Sequence, residues 1–177
     1  MKNFLGLRKI NLRELCILGL LTALTVILAV FCTIRLGNAI KIPLKFITVF
    51  LTASAFGPVW GGIVGALGDV LNSVLVPVGA PLPLITLVEF IYGFIFGLFF
   101  YNNTNSYLLK TIVCSLLLTV IDIFIVSFIL TSVGYFANFS VALLIRFPAS
   151  AIKFALYIIV ILFLKRYLNY LGRQIKK

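Results

Sequence analysis

The sequence predicts an all-α membrane protein of six transmembrane helices, on two observations of composition and one of charge. Of 177 residues, 63% are hydrophobic and only four are acidic, whereas the apolar share of a soluble domain is nearer half. The apolar stretches are long enough to cross a hydrocarbon core, which takes about 20 residues of helix. Of the fifteen Lys and Arg, ten lie in the N-terminal segment, one short polar loop and the C-terminal tail: Lys2, Arg8, Lys9, Arg13, Lys110, Lys165, Arg166, Arg173, Lys176 and Lys177. This bias places both termini and that loop on the cytosolic side. The other five, Arg35, Lys41, Lys45, Arg146 and Lys153, fall at or inside helix ends on the opposite side, and a basic group near a membrane interior usually has an anion to meet.

The first helix is expected over about 11–34. Asn11 can cap its first turn while Glu14, three residues on, reaches back in a capping box. The uncharged run from Leu15 to Ile34 is too long for a secretory h-region, and no small-residue cleavage site follows. Gly37 and Asn38 then supply turn chemistry for an outer loop. A short second helix is expected over about 42–56 and a third over about 59–76, separated by the breakers Gly57 and Pro58. The segment Pro77 to Pro83 is rigid and apolar. It can neither continue a helix nor rest unsatisfied in lipid, so it is expected to fold back as a lid over protein. A fourth helix over about 84–101, a polar inner loop from Asn102 to Ser106, a fifth helix over about 108–131 and a sixth over about 139–164 return the chain to its starting side. The tail, with Tyr167 and Tyr170 as interfacial anchors, is expected to lie along the inner surface. No internal repeat is visible, and residues 1–177 read as one domain.

The polar residues inside these spans share faces. On the third helix Gly62, Ala66, Asp69 and Ser73 lie on one face by spacing, beside a stripe of Gly57, Gly61, Gly65 and Gly68. Small residues admit a close neighbour. Asp69 lies roughly 10 Å and Glu89 roughly 7 Å below the outer ends of their helices, with Asp122 deeper. On the fifth helix Ser115, Thr119 and Asp122 align, and on the sixth Arg146, Ser150, Lys153 and Tyr157. The acids could simply neutralise Arg146, Lys153 and a loop cation, and for Asp122 that reading stands level with a ligand role. For the outer cluster, five cations against three acids leave two positive charges in surplus, which a dianion would balance. Carboxylates can also accept paired N–H donors from a planar heterocycle. The expectation is an outward-facing ligand cavity for a donor-rich ring carrying two carboxylates, with Arg35, Lys41, Lys45, Asp69, Asn72, Glu89, Tyr92, Arg146 and Lys153 as its candidate contacts.

Other chemistry finds no support. The net charge of +11 is explained by anionic lipid headgroups beside the spans, without nucleic acid. Cys16, Cys32 and Cys114 stand singly and the chain has no histidine, so neither a disulfide framework nor a metal centre is expected. The glycine run lacks the Lys and Ser or Thr of a phosphate-binding loop, and there is no GxSxG. No enzymatic activity, catalytic residue or cofactor is expected, and no ATP site is evident.

The run Phe56-Gly57-Pro58-Val59-Trp60-Gly61-Gly62-Ile63-Val64-Gly65-Ala66-Leu67-Gly68-Asp69, preceded by Arg35-Leu36-Gly37 and Ile42-Pro43, resembles the substrate-binding S components of energy-coupling factor (ECF) vitamin transporters, and within them the folate-specific branch. Tyr92-Gly93 with Gly97 and Arg146-Phe147-Pro148 extend the resemblance over nearly the whole chain. It implies a six-helix binding protein that captures folate outside the cell and docks on a transmembrane coupling subunit driven by two ATPases. Docking in that family uses small residues on the first helix, and Gly19 and Ala23, four apart, fit the pattern. Two other readings stay open: an S component for another vitamin, and a membrane scaffold in which the charges merely pair.

Overall fold

A computed structural model of the chain describes residues 11–36, 40–76, 82–101 and 107–175, the side chains of 34–36, 40–43 and 165–175 excepted. Helix α1, Leu12–Phe31, opens with the expected capping box: the Asn11 N–H donates to the Glu14 carboxylate at 3.2 Å. It buries Leu18, Thr25, Val26 and Ala29 and turns Leu20, Leu24, Ile27 and Phe31 outward.

An antiparallel hairpin follows, which the sequence reading did not foresee and which corrects the expectation of helix and loop over this stretch. Strands β1, Thr33–Leu36, and β2, Ile40–Pro43, pair with Ile34 opposite Ile42 and Arg35 opposite Lys41. Thr33, Ile34, Ile40 and Ile42 are β-branched and favour extended backbone. Pro43 also pushes the residue before it out of the helical region. Helix α2 therefore begins at Phe46, not Ile42, and runs to Phe56. Its length of roughly 16 Å falls short of a hydrocarbon core of about 30 Å.

Gly57, at φ 107°, makes the turn into α3, Pro58–Leu75. That backbone conformation suits glycine, and Pro58 at the first helical position loses no hydrogen bond. Helix α4, Pro83–Phe100, lies against α3 so closely that side chains are excluded. A Cβ at Gly61 would sit 2.8 Å from the Gly93 carbonyl oxygen, and one at Gly65 would sit 2.7 Å from that of Glu89. Of the stripe read from the sequence, Gly57, Gly61 and Gly65 belong to this contact surface, with Gly93 and Gly97 as its other half, whereas a Cβ at Gly68 would meet Thr25 of α1.

Helix α5, Tyr107–Ser132, contains a π-helical turn over Asp122–Val126. Helix α6, Phe139–Ile175, continues well past the expected end at Leu164, because nothing between Lys165 and Tyr170 breaks a helix. Among the described residues five helices are long and apolar enough to cross a membrane, and Phe46–Phe56 is a shorter apolar one. An aromatic core joins α2, α4 and α6: Phe50 meets Phe96 edge to face at 5.4 Å, and Phe46 meets Tyr157 at 4.7 Å. Such rings bury large area in a fixed geometry. The expected lid falls largely on 77–81 and the inner loop on 102–106, both outside the described residues.

Candidate functional site

Two ion-pair clusters face a common cavity. Lys45, just ahead of α2, is 6% exposed, and its Nζ lies 3.0 Å from Asp69 Oδ1 and 3.0 Å from Glu89 Oε1. The Thr86 hydroxyl donates to Asp69 Oδ2 at 3.0 Å. The glycines of α3 allow this arrangement, since close approach of α4 brings Glu89 beside Asp69. In the second cluster Asp122, at the start of the π-helical turn, accepts from Arg146 Nη2 at 3.1 Å, from Lys153 Nζ at 3.0 and 3.1 Å, and from the Ser150 hydroxyl at 2.8 Å. Tyr92 reaches it from α4 with a long contact of 3.4 Å. The alignment of Arg146, Ser150 and Lys153 along the sixth helix is what lets all three meet one carboxylate.

The cavity between the clusters measures about 50 Å³. Lys45 and Glu89 of the first cluster and Asp122 and Lys153 of the second border it, and Phe46, Tyr92, Phe96 and Tyr157 form much of its wall. That volume holds a water or two, against about 300–1,000 Å³ for sites that enclose a small molecule. The lining combines aromatic side chains with charged hydrogen-bonding groups, a chemistry that suits a planar polar ring.

Of the nine residues singled out from the sequence, the structure gathers Lys45, Asp69 and Glu89 into one cluster and Tyr92, Arg146 and Lys153 into the other. Lys45, Glu89, Tyr92 and Lys153 line the cavity itself; Asp69 and Arg146 stand behind them as ion-pair partners, and Asn72, one turn along α3 from Asp69, does not line it. Arg35 and Lys41 are paired in register across the hairpin. Among the described side chains, three cations therefore meet three carboxylates, and the surplus anticipated from the sequence rests on Arg35 and Lys41. Asp122 does neutralise Arg146 and Lys153, and Lys45 is the loop cation that serves Asp69 and Glu89. Phe46, Val49, Phe96 and Tyr157 were not anticipated as lining. Only Tyr157 carried a signal, through its place on the polar face of the sixth helix. Gly19 and Ala23 lie exposed on α1, and a Cβ at Gly19 would meet nothing within 4 Å.

Residues 9–169 match the sequence profile of the family described as ECF-type riboflavin transporter, S component. The chain belongs to this family. A solved structure of FolT bound with folic acid superposes on the S component with a TM-score of 0.76 at 29% identity, over 93% of this chain and 95% of that one. A sequence comparison with curated proteins gives no significant match. The glycine run of α3, which carried the resemblance in the sequence, is thus the α3–α4 contact that sets the two carboxylates of the first cluster side by side.

Proposed function

We propose that this S component captures folate from outside the cell and delivers it to an ATP-driven ECF module made of a transmembrane coupling subunit and two ATPase subunits. The observation that carries the reading is the likeness to folic-acid-bound FolT over 93% of the chain, in a protein whose cavity joins aromatic walls to carboxylates and cations. The chain acts as one membrane domain over residues 1–177. Six spans, with α2 as the short one, bring both termini to the cytosol and leave the cavity facing outward. In this reading Glu89, which holds Lys45 through Oε1, uses its second oxygen with Asp69 to accept the N–H donors of the pterin ring. Arg146 and Lys153 receive carboxylate, Arg35, Lys41 and Lys45 supply further positive charge, and Tyr92 adds a polar contact. Gly19 and Ala23 form the docking face for the coupling subunit, where small residues let backbones approach. The cavity of about 50 Å³ must widen to admit folate, so binding includes a rearrangement of the helices around it.

A second reading, riboflavin as the ligand, is favoured by the name of the matching family profile. Riboflavin carries no carboxylate, so it would leave the cations beside the cavity without a ligand counter-charge. Thermal melting of the purified protein separates the two, because a ligand of the native state raises the midpoint by mass action. Folate should raise it and riboflavin should not. The opposite result removes folate as the ligand.

A further inference from the structure

The two clusters carry opposite net charge. Lys45 between Asp69 and Glu89 leaves one negative charge in excess, and Arg146 with Lys153 around Asp122 leaves one positive charge in excess. Each cluster is internal to its own part of the bundle, the first to α2, α3 and α4 and the second to α5 and α6. Among the described residues no ion pair crosses between these parts; the polar link there is the 3.4 Å contact from Tyr92 to Asp122. The cavity is therefore bordered by residues of one net negative and one net positive cluster.

Asp122 has no acceptor capacity to spare for a ligand. Its Oδ1 takes Arg146, Lys153 and, at 3.4 Å, the Tyr92 hydroxyl, and its Oδ2 takes Ser150 and Lys153. The unused capacity is on the donor side: Arg146 Nε is buried and meets no hydrogen-bond partner among the described residues. An unpaired positive charge and an unsatisfied N–H at one place are both relieved by one further carboxylate. With that carboxylate in place two cations face two carboxylates, and a third would again be uncompensated.

We propose that Asp122 is a specificity-determining residue that sets the number of ligand carboxylates accepted beside Arg146 and Lys153 at one. This rests on the folate reading, and it assigns Asp122 a task distinct from touching the ligand. It fixes the two cations in place and cancels one of their charges. A neutral residue at 122 frees that second charge, and the site then rewards a second carboxylate.

The test is calorimetric titration of the full-length purified protein with three ligands of nearly one shape: folic acid with two glutamate carboxylates, the tighter of its two monoamides, and the diamide. In the wild type the large loss of affinity, about tenfold or more for a charge-assisted contact, should come between monoamide and diamide. In Asp122→Asn the step between folic acid and the monoamide should grow by about tenfold. In Lys153→Met, where Asp122 already balances Arg146, both steps should shrink to about twofold. Asp122→Asn weakening all three ligands by one common factor would show a structural anchor and overturn the proposal. Should Asp122→Asn fail to fold, Lys153→Met decides, and unchanged steps there overturn it equally. If the wild type binds none of the three ligands, the folate reading itself has failed; if it binds them and the steps do not move, only the role given to Asp122 has failed.

Discussion

Replacing Lys45 by Met removes the ammonium that lies 3.0 Å from both Asp69 and Glu89 and keeps most of the side chain's apolar volume. At an effective dielectric of about 20, each contact carries about 5.5 kcal/mol of Coulomb attraction. Desolvation of the three groups offsets much of that in the intact cluster. The variant loses the attraction but keeps the desolvation, and it leaves two like charges side by side. Removing one member of a buried ion pair costs about 3–5 kcal/mol. Asp69 and Glu89 retain side-chain exposures of 16% and 18%, so water relieves part of the cost and about 3 kcal/mol is expected. For a chain of this size that lowers the melting midpoint by about 6–12 °C. The assay is thermal unfolding of ligand-free protein, followed by the fluorescence of the single tryptophan, Trp60. The triple variant Lys45→Met, Asp69→Asn, Glu89→Gln, which removes the repulsion with the cation, should recover at least half of the loss. If Lys45→Met alone melts within about 2 °C of the wild type, the cluster does not hold α2 against α3 and α4, and the electrostatic reasoning about it is refuted.

Three further outcomes are expected. Gly93→Leu should cost about 1–3 kcal/mol or more of stability through overpacking and lower the midpoint with it, because even a Cβ there would sit 2.7 Å from the Gly62 backbone nitrogen; an unchanged melt would show that α3 and α4 separate freely. Gly19→Leu combined with Ala23→Leu should leave the melt near that of the wild type, since both positions are exposed on α1, yet abolish co-purification with the coupling subunit; recovery of the complex at wild-type yield would rule out this face as the docking surface. A single cysteine introduced between Asn102 and Ser106 should resist a membrane-impermeant thiol reagent in intact cells, as cytosolic termini require, and its ready labelling would reverse the topology.

Much of the architecture was legible along the chain, because its determinants are local. The uncharged apolar run from Leu15 specifies a membrane helix by itself, since the bilayer leaves backbone polar groups no other partner, although the helix stops at Phe31 and the run's last residues enter β1. Asn11 and Glu14 are three residues apart and form their capping box within one turn. Gly57 and Pro58 act on their own backbone, and the spacing of Gly61 and Gly65 marks a close-packing face whatever lies opposite. The hairpin was missed although its signals, β-branched residues and Pro43, are also local. They are short, and the hydropathy of the flanking helices masks them.

Which partners the charges choose was beyond the sequence. Lys45 pairs with Asp69 and Asp122 with Arg146 across 24 residues of chain, and Asp122 with Lys153 across 31. Six intramembrane charges admit several neutral pairings, and composition weighs them all alike. The fold chooses among them through distance. The glycine contact between α3 and α4 sets Glu89 beside Asp69, and the π-helical turn of α5 places Asp122 against Arg146 and Lys153. The sequence alone therefore determined that buried charges of both signs occupy this membrane protein. Only the tertiary packing decided that they separate into a net negative and a net positive cluster bordering one aromatic-lined cavity, because ion-pair energy depends on distances of a few ångströms that helix packing sets.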